Sequence, residues 1–159
     1  MSHTGKKLCY IVTANITYKE KSLLIFHKDY KMWLPVGGHI EKEEDPESAL
    51  FREIYEETGL TRKDLISTSL PDIIENLFTD TKGKSLLSPM YTDIHSVGPT
   101  RMHVGLRFFF KSKKKNVVPS DPDIKRVRWF TKEDLNSNKH TFLKHVKFYA
   151  LKAIELSQE

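Results

Sequence analysis

A single α/β domain is what this sequence predicts, from a hairpin signature, a capped helix and a C-terminal amphipathic stripe. Two β-branched and aromatic runs, Leu8 to Ile16 and Ser22 to His27, flank the polar stretch Tyr18-Lys19-Glu20-Lys21, which is the hairpin pattern. A helix is marked over about residues 46 to 58 by signals at both of its ends. Between Phe142 and Leu156, Leu143, Val146, Tyr149, Ala150, Ala153 and Ile154 fall on one helical stripe. With 159 residues, 38% hydrophobic and 30% charged, residues 1–159 suit one compact globular domain.

Taken in order, the segment from Met1 to Lys7 is short and polar, and the apolar run after it carries Asn15 and Thr17. That reads as a first strand and not as a secretory signal. Cys9 is the only cysteine, so no internal disulfide forms, which fits a reducing compartment such as the cytoplasm. Its neighbours Leu8, Tyr10, Ile11 and Val12 make it a small core residue by expectation. Trp33-Leu34-Pro35-Val36-Gly37-Gly38 is a short extended segment ending in a flexible turn. In the helix that follows, Asp45 suits the N-cap, Pro46 the first position and Gly59 the stop, while Leu50 and Ile54 recur at helical spacing. Asp72 to Leu77 and Thr92 to Ser96 are strand candidates around a polar loop. His103 to Lys111 reads as a central strand interrupted by Arg107, and Lys125 to Phe130 as another. Thr131-Lys132-Glu133-Asp134 has capping-box character with a short helix behind it. The C-terminal stripe predicts core packing.

The net charge of +5 favours anionic ligands such as polyphosphates without demanding nucleic acid. Acidic residues crowd positions 41 to 57, and basic ones crowd 111 to 115 and 125 to 128. An acidic patch in a basic chain suggests a cation held beside a bound anion. No apolar run approaches the ~18 residues of a spanning helix, so no membrane partner is expected. Lys111-Ser112-Lys113-Lys114-Lys115 is expected to be a solvated hairpin turn, with nucleic acid disfavoured as a partner. Gly83-Lys84-Ser85 is not the end of a phosphate-binding loop, because Phe78 stands where that loop requires glycine.

The chemistry concentrates after Gly37-Gly38. Glu53, Glu56 and Glu57 stand at i, i+3 and i+4, so their carboxylates share one helix face with Arg52 as the only local basic partner. A solvated face would intersperse lysines, whereas uncompensated carboxylates are what a divalent cation relieves. With no His or Cys in the set, hard ions such as Mg²⁺ or Mn²⁺ are favoured over zinc. Such an ion polarises a phosphoryl oxygen and lowers the pKa of a bound water. Glycines at 37 and 38 let backbone approach the ion or the phosphates closely.

The run from Gly38 to Leu60 fits G-x5-E-x7-R-E-U-x-E-E-x-G-U without departure, U being aliphatic, through Gly38, Glu44, Arg52, Glu53, Ile54, Glu56, Glu57, Gly59 and Leu60. Chance matches should occur roughly once in several hundred million windows, so an accidental acidic helix is not a competing account. The pattern is the signature of the Nudix hydrolases (MutT-like), which the chain resembles over nearly its whole length. The resemblance implies an α/β/α sandwich around a mixed β-sheet, with the motif as a loop, helix and loop. It implies hydrolysis of a nucleoside diphosphate linked to another group. It also implies that Glu53, Glu56 and Glu57 ligate metal with the carbonyl of Gly38. Arg52 would orient a glutamate of the motif by a salt bridge, Glu44 would support the site structurally or through water, and Gly59 would support it structurally. The catalytic base is either a glutamate of the motif or an acid from a distant loop, which the sequence does not locate.

Substrate contacts are expected from Gly37, His39, Arg101, His103 and Arg107, the arginines as phosphate partners. Trp33, Tyr91 and Trp129 are expected to pack and not to stack on a base. The proline and the tyrosine that mark hydrolases of ADP-ribose and of dinucleoside polyphosphates are replaced by Asn76 and Phe78. Elimination leaves a small nucleoside triphosphate, including an oxidised or damaged one, ahead of a nucleotide sugar or another diphosphate ester. A non-catalytic nucleotide-binding module is the alternative class. Oligomeric state stays open.

Overall fold

The computed structural model describes residues 5–68 and 77–159. Its centre is a parallel pair, β1 (Lys7–Tyr18) and β7 (Arg101–Ser112), in register from Lys7 opposite Arg101 to Thr17 opposite Lys111. Alternation along β1 sets the two faces of the sheet. Val12, Ala14 and Ile16 point one way into a core shared with Phe108 and Phe110 of β7, while Thr13, Asn15 and Thr17 point the other way. Those buried polar side chains are satisfied: the Asn15 amide donates to the Phe108 carbonyl at 3.3 Å, and the Thr17 hydroxyl to that of Phe110 at 3.2 Å.

Along its other edge β1 meets two strands in turn. Near its end it pairs with β2 (Lys21–His27) through a tight turn in which Lys19 takes a positive φ of 52°. Residues 11 to 14 pair instead with β4 (Val36–His39). The expected hairpin is therefore real but brief, because β2 turns away to pair with β3 (Met32–Leu34) and β8 (Ile124–Thr131). Pro35 has no N–H for a ladder and separates β3 from β4 within the segment expected to be continuous. Beyond β7 lie β5 (Leu65–Ser67) and β6 (Tyr91–Val97), both antiparallel to it. The strand β5 and the 3-10 turn Arg62–Asp64 before it are additions to the expected elements. Of the expected strand at 72 to 77, positions 72–76 lie outside the described residues and Leu77 is in a turn.

Helices cover both faces, which makes the mixed sheet the middle of an α/β/α sandwich. Helix α1 (Pro46–Thr58) buries Ala49, Leu50 and Ile54 against Val12, Ala14, Leu23 and Val36. Asp45 caps it by accepting from the Ser48 N–H at 2.9 Å, and Gly59 ends it in the left-handed conformation. On the other face, α2 (Lys132–Asn136) and α3 (Lys144–Leu156) pack Leu135, Val146, Ala150 and Ile154 against Leu24, Trp33 and Phe130. Tyr149 and Ala153 of α3 pack against Phe109. The box at Thr131 closes on Asp134 in both directions.

Some expectations need correction. Leu143 leaves the predicted stripe, being the N-cap of α3 and 43% exposed, because the helix starts after it. Cys9 is half-buried and not a core residue. The basic run at 111 to 115 is exposed at Lys113, Lys114 and Lys115, while Ser112 is buried, and it is not a hairpin turn, because β8 pairs with β2 across the sheet. There Lys114 pairs with Asp64 at 2.7 Å, and the Lys113 amine donates to the Lys63 carbonyl. The expected packing of the large aromatics holds. Trp33 sits against Phe26 and Phe130, Tyr91 against Phe109 and Tyr149, and Trp129 donates to the Lys115 carbonyl beside Tyr18. Among the described residues, no helix is long and apolar enough to cross a membrane.

Candidate active site

One cleft of about 630 Å³ opens where β4 meets the C-terminal half of α1, within the range of small-ligand sites. It is lined by Gly37, Gly38, His39, Glu53, Glu57, His103 and Arg107 from the expected set. Arg52, outside the lining, pairs with Glu53 of the lining and with Glu44 and Glu56, which are also outside it. Arg101 is exposed at the start of β7, outside the lining, between Lys7 and Val97.

The two glycines of β4 are required by contact. A Cβ at Gly37 would lie 2.1 Å from the Val12 carbonyl oxygen, and its φ of 139° excludes ordinary side chains. A Cβ at Gly38 would lie 2.4 Å from a Glu53 carboxylate oxygen. Backbone therefore touches carboxylate directly, and the Gly37 N–H donates to Glu57 at 2.7 Å.

Arg52 is the hub of the acidic helix. Its Nε and Nη2 grip both Glu44 oxygens at 2.9 and 3.0 Å, while Nη1 reaches Glu53 at 2.8 Å and Glu56 at 3.2 Å. Nη2 also donates to the His39 carbonyl at 3.1 Å, which ties α1 to the end of β4. Bidentate pairing of this kind fixes geometry as well as charge.

Charge at the glutamate end of the cleft is one-sided. Burial pushes the Glu57 carboxyl up to about 9 against the pull of the Gly37 N–H, and Glu53, Asp121 and Glu56 add repulsion. Burial also raises Glu53, with Arg52 opposing. These all-oxygen donors, on a helix face held against bare backbone, fit a hard divalent cation, which supplies the countercharge that one arginine does not.

Asp121 is the acid that sequence spacing does not reveal. The N–H groups of Ser120 and Asp121 both donate to the Glu56 carbonyl, at 2.8 and 3.0 Å, so the segment between β7 and β8 caps the end of α1. That brings Asp121 into the cleft lining beside Glu53 and Glu57. The only trace in the sequence is the acidic pair around Pro122, without any spacing that links it to residue 57. Among the described residues, His27, Asp29 and Asp123 also converge, but Asp123 pairs with Lys28 and the Asp29 N–H donates to His27.

Arg107 lines the cleft with its guanidinium already engaged. It is 2% exposed, its Nε and Nη2 grip Asp93 at 2.9 Å each, and Nη1 reaches Thr13. Its charge is matched before any ligand arrives. Asp93 accepts further from the Tyr149 hydroxyl at 2.7 Å and contacts His95 Nδ1 at 3.0 Å. Burial opposes the Asp93 charge, but Arg107, Tyr149 and His95 outweigh it and hold the carboxyl well below its ordinary range. Burial and Asp93 raise the Tyr149 hydroxyl to about 12. A depressed folded-state pKa stabilises above the unfolded value of about 3.9, and that stability is lost as pH falls through the folded value. Asp93→Asn should therefore lower the urea midpoint at pH 7, with a shrinking difference from wild type as pH falls below about 4. A difference independent of pH would contradict the ionic role.

The family model for the NUDIX domain matches residues 11–151. The structure is similar to that of a NUDIX-family hydrolase from Clostridium perfringens, at 31% identity, TM-score 0.77, covering 93% of this chain and 97% of that one. A C. elegans Ap4A hydrolase in a binary complex shares the fold at 17% identity and TM-score 0.63, covering 94% and 95%. So does the NUDIX domain of Shewanella oneidensis NrtR, complexed with ADP ribose, at 15% identity and TM-score 0.64, covering 96% and 88%.

Proposed function

The chain belongs to the Nudix hydrolase family, and from that premise we propose a Mg²⁺- or Mn²⁺-dependent pyrophosphohydrolase acting on a nucleoside diphosphate linked to a further group. The observation that carries the proposal is the contact of Gly37 and Gly38 backbone with the buried carboxylate of Glu57 and the half-buried carboxylate of Glu53 in one cleft. Glu53, Glu56 and Glu57 with the Gly38 carbonyl are the groups that would hold the ion. Bound there, it would neutralise phosphate charge and act as Lewis acid at the cleaved linkage.

The remaining work falls to the chain itself. Arg52 orients Glu53 and Glu56 and is itself fixed by Glu44. The base that takes the proton of the attacking water is drawn from Glu53, Glu57 and Asp121, the carboxylates of this group that line the cleft. Ile25, Tyr30, Met32, Leu34 and Leu143 give the same cleft an apolar end, with the His27 and Tyr30 rings 4.7 Å apart, which suits a nucleobase. Nucleoside triphosphates, including oxidised ones, are the first class by this reading, and nucleotide sugars the second. The lone cysteine supports a reducing compartment such as the cytoplasm.

The test is a panel of nucleoside triphosphates, nucleotide sugars, ADP-ribose and dinucleoside polyphosphates, assayed for product with Mg²⁺, with Mn²⁺ and with chelator. Metal-dependent cleavage of a diphosphate linkage is expected. Binding of a nucleotide with no turnover of any compound would replace the enzyme by a binding module. In parallel, Mg²⁺ should raise the melting temperature by mass action. A melting curve indifferent to both ions would count against the proposed ligand set.

A further inference from the structure

Four histidine rings meet along the cleft wall formed by β4, β6, β7 and α3. His39 contacts His103 at 5.0 Å between centroids, His103 contacts His95 at 5.5 Å, and His95 contacts His145 at 5.0 Å. All four line the cleft. Asp93 is ionised and can only accept, so its contact with His95, a lining residue, places a hydrogen on Nδ1 and leaves Nε2 as the nitrogen for a further partner. Cationic residues edge this wall. The Lys6 amine donates to Ser96, a lining residue, at 2.8 Å, and Arg101 lies between Lys7 and Val97 in the sheet.

We propose that this wall, with His95 as its oriented donor and Lys6 and Arg101 at its rim, is a second anion subsite that takes a phosphate group carried by the substrate beyond the linkage cleaved at the glutamates. The substrate class this selects is a polyphosphate ester, anionic at more than one place. Its position relative to the cleaved bond rests on the reading of the glutamates as the hydrolytic centre; the anion binding does not.

The chemistry follows from the groups around His95. Asp93 faces it from its own strand, His103 and the Asp93-bound Arg107 from β7, and His145 and Tyr149 from α3. Burial and the neighbouring His39 and His95 hold His103 down at about 4, and burial lowers His145. Several rings cannot charge together without an anion among them. A phosphate supplies that anion, drawing a proton to His95 so that Nε2–H donates to phosphate while Asp93 serves as counter-ion.

The experiment is calorimetric titration of inorganic tripolyphosphate into the full chain with chelator present, in two buffers of different ionisation enthalpy. Binding with proton uptake is expected. His95→Asn should weaken it roughly tenfold, the equivalent of one charge-assisted hydrogen bond, and should reduce the protons taken up. Lys6→Ala with Arg101→Ala, both exposed, should weaken it several-fold at unchanged melting temperature. Absence of tripolyphosphate binding, or wild-type affinity and proton uptake in His95→Asn, overturns the subsite. Should His95→Asn fail to fold, wild-type affinity in the Lys6 and Arg101 double variant overturns it instead. Because no metal is present, failed hydrolysis in the panel leaves this result standing, and failed binding beside intact hydrolysis removes the subsite alone.

Discussion

Glu57→Gln is expected to lower kcat with Mg²⁺ by roughly 10³-fold, the scale on which loss of one preorganised electrostatic group acts. The substitution is nearly isosteric. Its amide oxygen still accepts from the Gly37 N–H, so the contact that orients residue 57 against β4 survives. Only the capacity to ionise beside a cation goes, and with it the strongest reason for a cation to sit in the cleft. Glu57 is 3% exposed and surrounded by Glu53, Asp121 and Glu56, so removing that capacity should not lower the melting temperature of the metal-free protein. Steady-state kinetics on the best substrate of the panel, with melting curves in chelator, measure both halves. Turnover within a few-fold of wild type would remove Glu57 from the ligand set.

Gly37→Ala is expected to be the most damaging single methyl in the chain. Its Cβ would stand 2.1 Å from the Val12 carbonyl oxygen and 2.8 Å from the Thr13 Cα, both backbone atoms of the central strand with nowhere to yield. The φ of 139° adds conformational strain. Together these should cost about 3 kcal/mol or more, lowering the melting temperature by roughly 6–12 °C for a domain of this size. Activity should fall as well, since the strand that moves carries the N–H holding Glu57. Gly98→Ala is the control. It also has positive φ, at 66°, but nothing lies within 4 Å of its Cβ, so it should lose only about 1 kcal/mol from backbone strain. Equal destabilisation of the two variants would show that strain alone, and not the collision with β1, decides.

What the sequence made legible was local. The limits of α1 follow from Asp45, Pro46 and Gly59, and the shared face of Glu53, Glu56 and Glu57 follows from helical spacing, so that helix agreed with its prediction. The strand cores followed from alternation. What escaped was set by pairing between distant segments. Asp121 reaches the glutamates because its loop caps the end of α1, and His95 meets His103 because β6 and β7 are in register. Arg107 reads in the sequence as a free cation in a strand, and only the fold brings Asp93 and Tyr149 to it. The strand β5 is three residues long, too short for an alternation signal. Leu143 kept the helical period while the chain ahead of α3 was still extended.

The parallel pairing of β1 with β7 has a consequence for how the chain acquires its shape. Thr13 and Arg107 are side by side in the sheet yet 94 positions apart, and every contact of the central pair spans a similar distance. During synthesis, β1 emerges long before its main partner, with only the brief contact to β2 and the pairing to β4 to occupy one edge. The platform on which the cleft is built therefore closes late, after β7 has left the ribosome. Loop closure over such a separation makes a slow, millisecond-to-second folding step the natural expectation. Until then the apolar edge of β1 is open to other chains, and the yield of refolded protein should depend on its concentration.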